Sequence, residues 1–206
     1  MRLYAVTDSA WLGERTLEEC VESALKGGAT FVQLREKSLD TEALAELGTR
    51  IKKITDKYKV PFVINDDVDA AIKCGADGVH VGQDDTAAAD ARARLGADKI
   101  VGVSAHNVRE ALAAQESGAD YIGVGAMFST GTKKDANVML PETLKEICGA
   151  VDIPVVIIGG LKKDNIPLFK GCGADGAAVV SALFAEDNIE NAARELRRVC
   201  EDTFGK

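Results

Sequence analysis

No stretch of this sequence is apolar for long enough to cross a bilayer. The best candidate, Ile153 to Leu161, is interrupted by Pro154, Gly159 and Gly160 and falls far short of the roughly 20 apolar residues that a spanning helix needs. The start, MRLYAVTD, soon turns polar and lacks the apolar core of a secretory leader. Basic charge is not in excess either: 25 Lys+Arg stand against 33 Asp+Glu, a formal net charge of −8. Nucleic acid is therefore not expected as a partner, because neutralising phosphates needs a Lys/Arg surplus on at least one face. The cysteines (Cys20, Cys74, Cys148, Cys172 and Cys200) are odd in number and never in a CxxC pair. A disulfide framework or zinc site calls for closer, paired spacing, so reduced thiols in a cytoplasmic protein are expected. What remains is ordinary globular composition, 46% hydrophobic and 28% charged over 206 residues. That describes one soluble domain spanning 1–206.

Short β-branched runs alternate with longer stretches of helical periodicity from end to end. Strands are predicted at Leu3–Val6, Phe31–Leu34, Phe62–Ile64, Gly78–Val81, Ile100–Val103, Tyr121–Val124, Val155–Ile158 and Ala177–Val180. Apolar residues recur with a 3.6-residue period between and after them, as in Leu39 to Tyr58 and Ile189 to Cys200. Strand–helix alternation implies right-handed crossovers and a parallel sheet. Eight even units, with a helix expected after each strand, favour an α/β fold of the closed (β/α)8 TIM-barrel type over an open sheet. A repeat supports the symmetry: GGATFVQL, CGADGVHV, SGADYIGV and CGADGAAV each end a helix at a glycine (Gly28, Gly75, Gly118, Gly173) and lead into a strand. Glycine suits the left-handed conformation that ends helices, so this repeat is read as loop stability at the barrel's N-terminal face.

Chemistry in such a barrel sits on the loops that follow the strands. Every predicted strand but the first ends in polar, charged or glycine residues. Gln33, Arg35 and Lys37 follow the second strand at a spacing of two, so an extended chain would aim all three the same way. An Arg beside a Lys matches an anion, the Arg by bidentate contact and the Lys as a point charge; ion pairs with Glu36 or Asp40 are the plainer reading. Asp66, Asp67 and Asp85 lie after neighbouring strands and would repel one another without a cation. Hard oxygen ligands in small number suit Mg²⁺, while helix N-capping is the competing use, and spacing does not decide which aspartate faces inward. The strand-six loop carries Thr130-Gly131-Thr132-Lys133, hydroxyls and a cation suited to phosphate, although it is not a Walker A loop. Gly159-Gly160 and Ser181 end strands seven and eight, where barrels commonly hold a phosphate. His80 lies within the fourth strand, where a histidine is more often packed than catalytic, and neither it nor His106 is counted in the site; no Ser/His/Asp or Cys/His nucleophile set is evident.

Taken in order, VTD, QLREK, INDDVDAAI, GVHVGQDD, GVSAHN, YIGVGAMFSTGTKKD, VIIGGL and AVVSAL resemble the thiamine-phosphate synthase family over essentially the whole chain. The resemblance implies a transferase that joins 4-amino-2-methyl-5-hydroxymethylpyrimidine diphosphate to 4-methyl-5-(2-hydroxyethyl)thiazole phosphate, with Mg²⁺. Thiamine phosphate and pyrophosphate would be the products, formed after the diphosphate departs first. Two small phosphorylated substrates are thus the expected partners, with no membrane. By motif, Arg35, Lys37, Asn65 and Lys133 match ligands of the pyrimidine diphosphate, with Gln33 and Ser104 near the pyrimidine. Asp66 and Asp85 match the magnesium ligands, and Thr130, Thr132, Gly160, Val180 and Ser181 the thiazole-phosphate side. Ala126 stands where the family usually has Pro, and Gly131 where a larger residue is common; both changes loosen the strand-six loop. A thiazole tautomerase or a ligand-binding barrel of the same superfamily is the alternative. Lys133→Ala is expected to lower turnover by about 10²–10³, as loss of one charge-stabilising donor does elsewhere, with little change in the thermal midpoint. Wild-type turnover in that variant would remove Lys133 from the site.

Overall fold

The computed structural model describes residues 1–82, 85–129 and 138–205, the side chains of 85–87 excepted. Its parallel strands are β1 (Leu3–Val6), β2 (Phe31–Leu34), β3 (Phe62–Asn65), β4 (Gly78–Val81), β5 (Ile100–Ala105), β6 (Tyr121–Val124), β7 (Val155–Ile158) and β8 (Gly176–Val179). They pair in chain order, and β1 pairs with both β2 and β8, which closes the ring. The helices are α1 (Leu17–Lys26), α2 (Thr41–Tyr58), α3 (Val68–Cys74), α4 (Asp85–Leu95), α5 (Val108–Glu116), α6 (Pro141–Ala150), α7 (Ser181–Phe184) and α8 (Ile189–Phe204). The chain is thus the (β/α)8 barrel that the alternation predicts. Gly28, Gly75, Gly118 and Gly173 all have positive φ, as their place in the repeat requires.

The expectation of a helix after every strand fails once. Between β7 and β8 the chain makes only a 3-10 turn, Ile166–Phe169. The segment contains Pro167, Gly171 and Gly173, which remove a donor and favour non-helical backbone. Two helices follow β8 instead, and α8 packs against both α1 and that turn. No helix of the described residues is long and apolar enough to cross a membrane.

Alternation along the strands divides the interior in two. Leu3, Ala5, Val32, Leu34, Phe62 and Ile64 point outward into the main core beneath the helices. Tyr4, Phe31, Val63, Tyr121, Val156 and Ala178 point inward and pack against one another inside the barrel. Most strands have only four residues, so each offers about two inward positions. The lower one fills the barrel, and the upper one faces the open C-terminal end. Space inside is tight. A Cβ on Gly102 would lie 2.2 Å from Cζ of Tyr121. Gly102→Ala is therefore expected to destabilise the fold by about 1–3 kcal/mol, as overpacking does; an unchanged midpoint in urea would show that the Tyr121 ring has room to move.

Candidate active site

Two residues up each strand from the barrel floor lie Val6, Gln33, Asn65, His80, Ser104, Gly123, Ile158 and Val180, and all of them line one cavity. The cavity has a volume of about 160 Å³. Its polar floor is continuous. Gln33 Nε2 donates to Tyr4 Oη at 2.6 Å, and Tyr4 Oη lies 2.8 Å from Tyr121 Oη. Tyr121 Oη is 2.9 Å from His80 Nδ1, and His80 Nε2 is 3.1 Å from Ser104 Oγ. Burial pushes the pKa of both tyrosines well above the ordinary phenol value, so they stay neutral. Among the described residues no buried side-chain nitrogen or oxygen lacks a partner.

Arg35 stands at the rim. Its backbone N–H donates to Thr7 Oγ1 at 2.9 Å, and that hydroxyl donates to Glu36 Oε1 at 2.9 Å. Glu36, buried, also accepts from the Ser9 backbone N–H at 3.3 Å. This carboxylate therefore ties the ends of β1 and β2 together and fixes where Arg35 emerges. Glu36 is not paired with Arg35, and Asp40 caps α2 by accepting from Ala43 N at 2.9 Å. Among the described residues Arg35 makes one ion pair, a long one at 3.9 Å from Asp8 Oδ2, which leaves guanidinium donors to face an anion. Lys37 departs from the expected shared direction. The strand ends at Leu34 and the chain turns at residue 37, so the period of two stops; Lys37 is exposed and does not line the cavity.

The carboxylates at the ends of β3 and β4 take different tasks. Asp67 caps α3, accepting from Ala70 N at 2.8 Å, and also accepts from Thr41 Oγ1 at 2.7 Å. Asp66 is exposed, with left-handed backbone at φ 63°. Its N–H donates to the His80 carbonyl at 2.8 Å, and its Oδ2 accepts from Asn65 Nδ2 at 2.6 Å. Capping thus occupies Asp67 and leaves Asp66 exposed just past the end of β3, though not among the residues that line the cavity. Asp85 begins α4, its side chain lying outside the described residues, as do Thr130, Thr132 and Lys133. Among the described residues no group of three or more His, Cys, Asp or Glu side chains is placed to hold a metal ion.

On the opposite rim, Gly160, Val180 and Ser181 line the cavity together with Gly159. A Cβ on Gly159 would meet the Ala126 Cβ at 2.6 Å, and one on Gly160 the Phe128 Cβ at 2.7 Å. Their φ values are +101° and +65°. Both positions therefore take glycine, for backbone conformation and for the close approach of the strand-six loop. The Gly125–Ala126 peptide bond is cis.

Of the expected site residues, Gln33, Arg35, Asn65, Ser104, Gly160, Val180 and Ser181 meet at this one cavity. Tyr4, His80 and His106 line it as well, although sequence reasoning passed them over. The signal for His80 was available: it sits two residues above Gly78 on the inward face, level with Ser104 above Gly102. The family model described as thiamine monophosphate synthase matches residues 3–183. The chain belongs to this family. It is an enzyme, a transferase of thiamine biosynthesis. It is 52% identical over 195 residues to a thiamine-phosphate synthase of Clostridium botulinum, covering 95% of this chain and 92% of that protein. It is 48% identical over 196 residues to one of Methanobrevibacter smithii, covering 95% and 93%. The solved thiamine phosphate pyrophosphorylase from Pyrococcus furiosus superposes with a TM-score of 0.90 at 38% identity, over 99% of this chain and 97% of that one.

The division of labour between the aspartates can be measured. Asp67→Ala is expected to cost about 1 kcal/mol through the lost cap, while Asp66→Gly relieves a left-handed backbone and leaves stability equal or up to about 1 kcal/mol higher. Turnover should fall far more in the Asp66 variant. Denaturant melts and rates that ranked the two in the opposite order would overturn the assignment.

Proposed function

We propose that this family member joins 4-amino-2-methyl-5-hydroxymethylpyrimidine diphosphate to 4-methyl-5-(2-hydroxyethyl)thiazole phosphate, releasing pyrophosphate. The observation that carries the reading is one cavity with a neutral polar floor between two different rims. A dry cavity of about 150 Å³ admits a benzene ring, so a volume of about 160 Å³ suits one six-membered ring, with charged groups left at the mouth. The pyrimidine would lie over Gln33 and Ser104, with its diphosphate toward Arg35 and Asn65, and Lys37 and Lys133 as further cations. The thiazole phosphate would lie toward Gly160, Val180 and Ser181, where glycine backbone allows close approach, with Thr130 and Thr132 contributed by the strand-six loop.

Asp66 and Asp85 would hold Mg²⁺. The donor chemistry fits: two carboxylates at neighbouring strand ends, one of them free of capping, suit an ion that completes its shell with water and substrate phosphate. When bound, this ion supplies positive charge against the leaving diphosphate. No residue in the cavity need act as a strong base. In this reading the bond to diphosphate breaks first, Arg35, Lys37 and Lys133 stabilise the charge growing on the leaving group, and the thiazole nitrogen captures the pyrimidine-methyl cation. Seating the ring at the bottom of the cavity limits its exposure to water during that interval.

Incubation with both substrates and Mg²⁺ is expected to yield thiamine phosphate, read as thiochrome fluorescence after oxidation, and EDTA is expected to abolish it. Binding of thiazole phosphate without product would favour a tautomerase or a ligand-binding barrel instead.

A further inference from the structure

The proposed site uses Gln33 and Ser104 but gives no task to the three residues that connect them. The hydrogen bonds between them have a direction. Gln33 Nε2 can only donate, and it lies 2.6 Å from Tyr4 Oη. With that donor on its oxygen, Tyr4 has its single hydrogen to give to Tyr121 Oη, 2.8 Å away, and this order makes Tyr4 the donor of a contact that geometry alone leaves undirected. Tyr121 donates in turn to His80 Nδ1 at 2.9 Å. A ring nitrogen that accepts carries no hydrogen, so His80 carries its hydrogen on Nε2. That N–H faces Ser104 Oγ at 3.1 Å. The serine oxygen thus receives a hydrogen bond from below, and its own hydrogen is left for the cavity.

We propose that His80 is a positioning residue, held as the Nε2–H tautomer, that sets the Ser104 hydroxyl as a hydrogen-bond donor to an unprotonated acceptor atom, such as a heteroaromatic ring nitrogen, on the ligand. Packing holds the ring in place: a Cβ on Gly123 would lie only 3.1 Å from His80 Cε1. The opposite order, starting from a Gln33 oxygen at the Tyr4 hydroxyl, would run every bond backwards. His80 would then carry its hydrogen on Nδ1, and Ser104 would present an acceptor. The two orders are therefore distinguishable at the histidine ring.

The first test needs no substrate. Long-range ¹⁵N–¹H correlation spectra of the full chain, with His80→Gln assigning the signals of the two histidines, are expected to show His80 Nε2 bearing hydrogen and Nδ1 bare. Tyr121→Phe removes the donor to Nδ1 and is expected to bring an Nδ1–H population into the spectrum. An Nδ1–H ring in the unmodified chain would overturn the proposal. The kinetic test rests on the function proposed above. His80→Leu is expected to lower kcat/KM for the pyrimidine diphosphate by about 10–100-fold, the size of effect seen when a residue that orients a functional neighbour is lost. The KM for thiazole phosphate should stay unchanged. His80→Gln, whose carboxamide can accept from Tyr121 and donate to Ser104, should recover most of that loss. Equal changes in both KM values, or no rescue by Gln, would count His80 as packing only. Absence of product from the unmodified chain would instead defeat the proposed reaction and leave the tautomer result standing.

Discussion

With strands mostly four residues long, the barrel interior has about two inward positions per strand, and this small number governs the rest of the molecule. Filling the lower positions is a packing problem, met by Tyr4, Phe31, Tyr121 and smaller neighbours. The upper positions then have nowhere to be except around an open cavity. No additional layer separates structure from chemistry. Two hydroxyls are carried into the core as a result, and each must find a partner there, because a buried polar group without one is costly. The run from Gln33 to Ser104 meets that requirement, and it also joins the floor to the site above.

The outer shell follows a different logic. Exposed ion pairs bridge successive helices, Glu18 of α1 with Arg50 of α2 at 2.6 Å and Glu22 of α1 with Lys57 of α2 at 2.7 Å. Lys73 with Glu42, and Arg94 with Asp69, continue the pattern around the ring. Each such pair contributes little in solvent. Their arrangement nonetheless shows how an acidic chain can carry a site for anions. Many of its charges are spent among the helices, while Arg35 emerges on the inner rim, 3.9 Å from Asp8.

Local signals carried the fold. Periodicity placed every strand to within about two residues, and the glycine repeat marked the turns that enter alternate strands. The missing helix after β7 was foreshadowed by Pro167, Gly171 and Gly173, whose effect eight-fold symmetry overrode in the reading. At the site, residues on a single strand end were legible, such as Gln33 and Arg35, but the direction of Lys37 was not, because the point where extension stops depends on the turn that follows. Asp66 and Asp67 are equivalent in sequence and become distinct only through helix capping. The tyrosine–histidine contacts were the least accessible to a linear reading: Tyr4 and Tyr121 are 117 positions apart, and only closure of the ring brings their hydroxyls together.

Gly102 gives the cavity a fixed depth. The Tyr121 ring already fills the space that a side chain there would take, and its hydroxyl is held between Tyr4 and His80. Tyr4, Phe31 and His80 pack around the same ring. A flat group the size of one ring can rest on this floor, whereas a fused bicyclic group would have to displace an aromatic side chain. The floor therefore acts as a ruler for whatever enters the barrel, and its gauge is set by a glycine that never touches the ligand.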